Sequence, residues 1–181
     1  MSRGSLVRMT PAAVVALGAL LFTVLSFWLL NARPGRLKSY EPHTFAAILG
    51  SAVRIRLPLV LHNTGALPII VQNLRLCVPD DAPLLWITTR SQLKPASSDN
   101  HQFASVFHVP GRTAKEVFVE FGRDDPLAAK DYPVRVEVKL AHKDQWQPLV
   151  SFLLLAGQAG QPAYITYSND PEIVPRRELE A

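Results

Sequence analysis

An all-β domain of antiparallel strands, carried behind one N-terminal membrane-spanning helix, is predicted by three observations. The run from Pro11 to Leu30, PAAVVALGALLFTVLSFWLL, holds no charged residue. From Val53 onward, apolar residues recur at every second position. Clusters of turn-forming residues separate these runs, and no amphipathic helix lies between them. A period of two with frequent turns marks half-buried strands. Without crossover helices, a parallel sheet is disfavoured.

Twenty residues in a helix span roughly 30 Å, the thickness of a bilayer's hydrocarbon core. The expected anchor therefore covers residues 11–30, with Pro11 at its start, Leu20 and Leu21 at mid-span, and Trp28 and Leu30 at its far end. Residues 1–10, with Arg3 and Arg8, form a short basic N-terminus. The competing reading is a secretory signal peptide, whose apolar region runs to only about 7–15 residues. In the sequence Leu30-Asn31-Ala32 a large Leu30 stands where a cleavage site needs a small residue. Length and site both favour a retained anchor. A core helix is disfavoured because the run is apolar on every face.

Basic residues flank the span on both sides, Arg3 and Arg8 before it and Arg33, Arg36 and Lys38 after it, so the positive-inside asymmetry does not set a direction. Large domains translocate largely regardless of charge, and the C-terminal part is expected outside the cytoplasm. The formal net charge of +4 is local. Residues 1–38 hold five of the 19 basic side chains and none of the 15 acids, leaving the rest at −1. Such a domain has no electrostatic footprint for nucleic acid, whereas the basic residues beside the helix suit anionic lipid headgroups. The lone Cys77 excludes an internal disulfide and a thiolate metal cluster. The excess of arginine over lysine and the many alanines fit a bacterial source.

A Pro-containing linker is expected over 31–44, a β domain over 45–167 and a flexible polar tail over 168–181. In the domain, Val53, Ile55, Leu57, Leu59 and Leu61 alternate with Arg54, Arg56, Pro58, Val60 and His62, and Val134, Val136, Val138 and Leu140 alternate with Arg135, Glu137 and Lys139. Further strands are expected at Ile69–Cys77, Leu84–Thr89, Gln102–Val109, Glu116–Phe121, Gln145–Leu155 and Ala163–Tyr167. Seven or eight short strands in about 120 residues imply an antiparallel β-sandwich of immunoglobulin type. Between two of these strands stands Asn63-Thr64-Gly65, followed by Pro68. Asn63 and Gly65 are expected to supply unusual backbone angles and Pro68 to block pairing, so that the chain changes sheets there.

A strand ending in Asn-x-Gly and followed by "IIVQNLRL" resembles bacterial immunoglobulin-like domains over about Thr44–Gly157. The resemblance implies a fold and leaves the function open.

No catalytic set, cofactor or metal site is expected. About eight residues of extended strand put Cys77 some 25 Å from His62, so the two form no dyad, and Cys77 reads as a small buried hydrophobe. His43, His62, His101, His108 and His142 fall in linkers, turns and strand ends, with His101 and His108 on opposite faces of one strand. Asp80-Asp81, Asp124-Asp125, Asp170 and Glu172 lack the spacing of a calcium loop. Copper-delivery factors with a similar layout use paired cysteines, which this chain lacks.

Leu84, Leu85, Trp86 and Ile87 do not alternate, so that strand is covered on both faces or offers one to a partner. Trp146, in step with Pro148, Val150 and Phe152, is expected in the core. The function expected is that of a membrane-anchored accessory or protein-interaction module, in contact with lipid and with another membrane or envelope protein. The alternative is a ligand or metal carrier, or an enzyme, whose site the sequence does not display.

Overall fold

The computed structural model describes residues 10–96, 98–160 and 163–174. Arg3, Arg8 and tail residues 175–181 lie outside them. Helix α1 (Pro11–Phe27) opens on Thr10, whose hydroxyl accepts from the Ala13 amide, with Pro11 in the first turn where its missing N–H costs nothing. A π-helical turn, Trp28–Ala32, completes one helix of 22 residues, long and apolar enough to cross a membrane. Leu20, Leu21, Trp28 and Leu30 are exposed, and no residue of α1 is buried against the protein.

Among the described residues eleven strands follow: β1 (Leu37–Lys38), β2 (Thr44–Leu49), β3 (Val53–Asn63), β4 (Ile69–Cys77), β5 (Leu84–Arg90), β6 (His101–Phe103), β7 (Phe107–Val109), β8 (Ala114–Arg123), β9 (Tyr132–Leu140), β10 (Trp146–Leu154) and β11 (Ile165–Ser168). All pairings are antiparallel, in the order β10-β9-β4-β5-β8-β3-β2-β11, with β1 on β3, β6 on β5 and β7 on β4. The sheet curls into a half-barrel. Its concave side packs Phe45, Ile55, Leu57, Leu59, Leu74, Leu76, Val119, Phe121, Val136 and Leu154 into one core. The alternating residues expected inside on β3 and β9 are buried, and so are Arg56 and Glu137, which were expected on the opposite face.

Three expectations are corrected. The linker expected over 31–44 contains β1, paired to β3 through Leu37↔Asn63 and Lys38↔His62, and its last residue, Thr44, opens β2. The single strand expected over Gln102–Val109 is two, β6 on β5 and β7 on β4, because it crosses the gap where β4 and β5 diverge after their two shared pairs. Ser168 and Asn169, expected as the start of the tail, belong to the fold. The Asn169 side chain is buried, accepting from Leu155 N and donating to Pro42 O and Leu153 O, so it ties β11 to the sheet.

Candidate functional site: the junction between helix and sheet

Three segments meet where β3 ends: the residues after the helix (33–38), the hinge 63–68, and the β7–β8 turn 110–113. Asn63 is fully buried and organises the hinge. Its Oδ1 accepts from Gly65 N at 3.0 Å, and its Nδ2 donates to Leu67 O and Val109 O at 2.8 and 3.2 Å. The hinge binds the post-helix segment by Thr64 N to Arg36 O and Ala66 N to Arg33 O, and Arg36 N donates to the Thr64 hydroxyl. Arg112 N donates to Gly65 O, adding the turn, and the Arg112 guanidinium donates to Leu29 O at the helix end. A cation on the last carbonyls suits a helix C-terminus.

The hinge glycine serves a purpose other than the one expected. Neither Asn63 nor Gly65 has a positive φ; among the described residues only Asp80 and Arg112 do, at 57° and 56°. Gly65 is required for space. A Cβ on Gly65 would lie 2.1 Å from Gly35 N, one on Gly35 would lie 2.2 Å from Gly65 N, and one on Gly111 would lie 1.9 Å from Ala66 O. The three backbones touch, and any side chain would separate them.

Two charged clusters occupy the convex side. On the β3/β8 side, Arg56 and Glu120 are paired across the strands and are only 1% and 3% exposed. Arg56 donates to Glu120 Oε2 at 3.0 Å and to the carbonyls of Gln92 and Leu93. Asp99 Oδ2 lies 2.8 Å from Arg56 Nη1 as a charge pair without hydrogen-bond alignment. Arg90, Thr88 and Tyr164 also donate to Glu120. Burial opposes ionisation of Glu120, but the hydrogen bonds from Arg90, Tyr164 and Arg56 outweigh it and hold the carboxyl below its usual range. Burial, then the adjacent Glu120, pushes the Tyr164 hydroxyl well above its usual range.

On the β4/β9 side, Glu137 accepts from Arg75 at 2.8 Å and pairs with Arg135 at 2.9 Å, and the Arg75 guanidinium lies 4.4 Å from the Trp146 ring centre. Burial works against the Glu137 charge, yet hydrogen bonds from Arg75 and Cys77 leave its carboxyl low.

The residues singled out in the sequence do not converge. Leu84 and Trp86 are in the core, Ile87 is half-buried, and only Leu85 is exposed, at 59%, so the four form no common surface. Cys77 is a half-buried neighbour of Glu137 on the convex face, and burial raises its thiol. Trp146 leaves the core because a bulge between Pro148 and Val150 shifts the register of β10, putting Phe152 inside and Trp146 under Arg75. His101 and His108 stand on different strands. Asp81 is bound by Arg123, and Asp170 caps its own turn. Among the described residues, no three His, Cys, Asp or Glu side chains form a metal-binding group.

The junction was half visible in sequence, since Asn63, Gly65 and Pro68 mark it, but its partners Gly35 and Gly111 carry no signal until the fold brings them together. No protein-family model matches the chain, and no curated protein matches it.

Proposed function

We propose that this protein is a membrane-anchored accessory module, an immunoglobulin-like β-sandwich held outside the cytoplasm of a bacterium, that works by contact with another membrane or envelope protein. The observation that carries the contact reading is the segment bridging β6 and β7, where Phe103 and Val106 are 80% and 60% exposed. Aromatic and aliphatic side chains standing clear of a folded domain are typical anchors for a partner's pocket. The sandwich reading draws on the β4–β5 seam. That seam is two residue pairs long, and on its two sides stand β2, β3, β8 and β5, and β4, β9 and β10, the grouping of an immunoglobulin domain. The single apolar helix supports the anchor.

Two experiments test this reading. Leu21→Arg, at mid-span, should cost about 2.5–3.5 kcal/mol of insertion free energy and release the protein in a carbonate wash; unchanged retention would refute the anchor. A photo-crosslinking residue at 103 or 106 in the membrane-embedded full chain should capture one protein species that the same residue at Asp124 does not. Capture of nothing at either position would count against the contact reading. It would favour a ligand carrier, for which an open cleft of about 650 Å³ between Asp80, Lys130 and Tyr132 offers space.

A further inference from the structure

The two ends of the sheet carry opposite charge. At the junction end the exposed cations are Arg33, Arg36, Lys38, Arg112 and, in the β9–β10 turn, Lys143. Asp144 is the one acid in that turn. Leu67 and Ile70 are exposed between them, at 45% and 44%, and Ala141 N donates to Ile70 O, which holds the Lys143 turn beside them. At the opposite end, some ten strand residues or about 30 Å away, the exposed acids Asp80, Asp81, Asp124, Asp125 and Asp131 outnumber the exposed cation beside them, Lys130. The junction end is also the end fixed to the helix. Arg33 and Arg36 are bound to the hinge through their carbonyls, and Arg112 reaches Leu29 in the last helical turn.

We propose that the junction end is a second membrane contact: the hinge 63–68 and the turns at Arg112 and Lys143 rest on anionic lipid headgroups of the bilayer that holds the helix. The proposal rests on the anchor reading above and adds an orientation to it. A flexible linker of a dozen residues would let the domain wander over about 20 Å. Here the linker is spliced into the fold, so the cationic end faces the lipid and the acidic end faces away. Each exposed cation near an anionic surface adds attraction that decays within a Debye length. Leu67 and Ile70 supply the aliphatic surface that such a contact would cover.

The test uses the full chain in vesicles of phosphatidylcholine alone or mixed with phosphatidylglycerol, both doped with a headgroup-nitroxide lipid. In a Cys77→Ser background, a fluorophore is attached at Leu67→Cys or at Asp124→Cys. Strong quenching at 67 and none at 124, larger at 67 in the anionic vesicles, is the expected result. Arg112→Gln with Lys143→Glu should lower the quenching at 67 in anionic vesicles, with the melting curve checked for each variant. Without any mutation, about 1 M salt, where the Debye length is about 3 Å, should do the same. Equal quenching at 67 and 124 in a chain that survives a carbonate wash would overturn the orientation while leaving the anchor intact. Release in the wash would overturn the anchor reading and this proposal with it.

Discussion

Glu120 on β8 and Glu137 on β9 are built from the same parts. Each faces an arginine across the strand pair, Arg56 and Arg75; each is reached by a second arginine, Arg90 and Arg135; and each has an aromatic ring against its first arginine, Tyr164 and Trp146. They differ in cover. Residues 91–96 and 98–100 lie over the first cluster, giving Arg56 two carbonyls and the Asp99 charge, and Tyr164 closes it from the C-terminal side. Over the second, the Arg135 side chain is 54% exposed. Glu137 is itself only 7% exposed, so both carboxylates are buried; what differs is the arginines, sealed in with Glu120 at the first cluster and reaching water beside Glu137, where Arg75 and Arg135 are 28% and 54% exposed. An exposed ion pair is worth about 0–1 kcal/mol, whereas removing one partner of a buried pair costs roughly 3–5 kcal/mol because the other charge is stranded.

The largest expected effect follows directly. Glu120→Ala should destabilise the domain by roughly 3–5 kcal/mol because it strands the buried Arg56, and Glu137→Ala by less, about 1 kcal/mol, because the arginines it leaves, Arg75 and Arg135, reach water, in urea unfolding of the full chain in micelles. Similar losses for the two single alanine variants would break the comparison.

Next in size is Tyr164→Phe, which deletes a hydrogen bond to a buried charge and should cost about 1.5–3 kcal/mol. Trp146→Leu, its counterpart, gives up a cation–π contact at the surface and should cost about 0.5–1 kcal/mol. Acid and base separate the contributions further. Both carboxyls titrate below their ordinary value of 4.5, so their stabilisation is complete above that pH and is lost as pH falls through the lower folded values. The Tyr164 hydroxyl titrates above its ordinary 10.0, so its contribution is complete below pH 10 and is lost as the pH rises beyond it. Melting temperature should therefore fall at both extremes, and Tyr164→Phe should flatten the alkaline limb. An unchanged alkaline limb would remove Tyr164 from the network.

How much of this the sequence displays depends on the range of the cause. Strand identity is local, so β3 and β9 are legible from alternation, and β4, β5, β8 and β10 from apolar runs set between turn residues. Arg56 and Glu120 read as solvent-facing for the same reason: they alternate with buried residues, and nothing within either strand says that a distant loop and Tyr164 will cover that face. The bulge at Pro148 exchanges the faces of β10 and takes Trp146 out of the expected core. β1 is two residues long and is defined wholly by its partner. Gly65 was recognisable as special, but its reason lies in Gly35, thirty positions away in the chain.

The smallest expected effect concerns the second arginines and isolates cover from contact. Arg90 donates to Glu120 at 2.9 Å with its side chain 21% exposed, and Arg135 reaches Glu137 at the same distance but more than half exposed. Arg135→Ala should lower stability by no more than about 1 kcal/mol, because Glu137 keeps Arg75 and the partner it loses is half exposed. Salt then distinguishes the two. Exposed pairs are screened and buried ones much less so, so the Arg135→Ala loss should vanish in concentrated salt while the Arg90→Ala loss persists. Unfolding midpoints of the two variants against the parent, at low and high ionic strength, measure this directly. If both losses disappear with salt, water reaches Glu120 beneath the Gln92–Leu93 and Asp99 segments and the cover does not act as a seal.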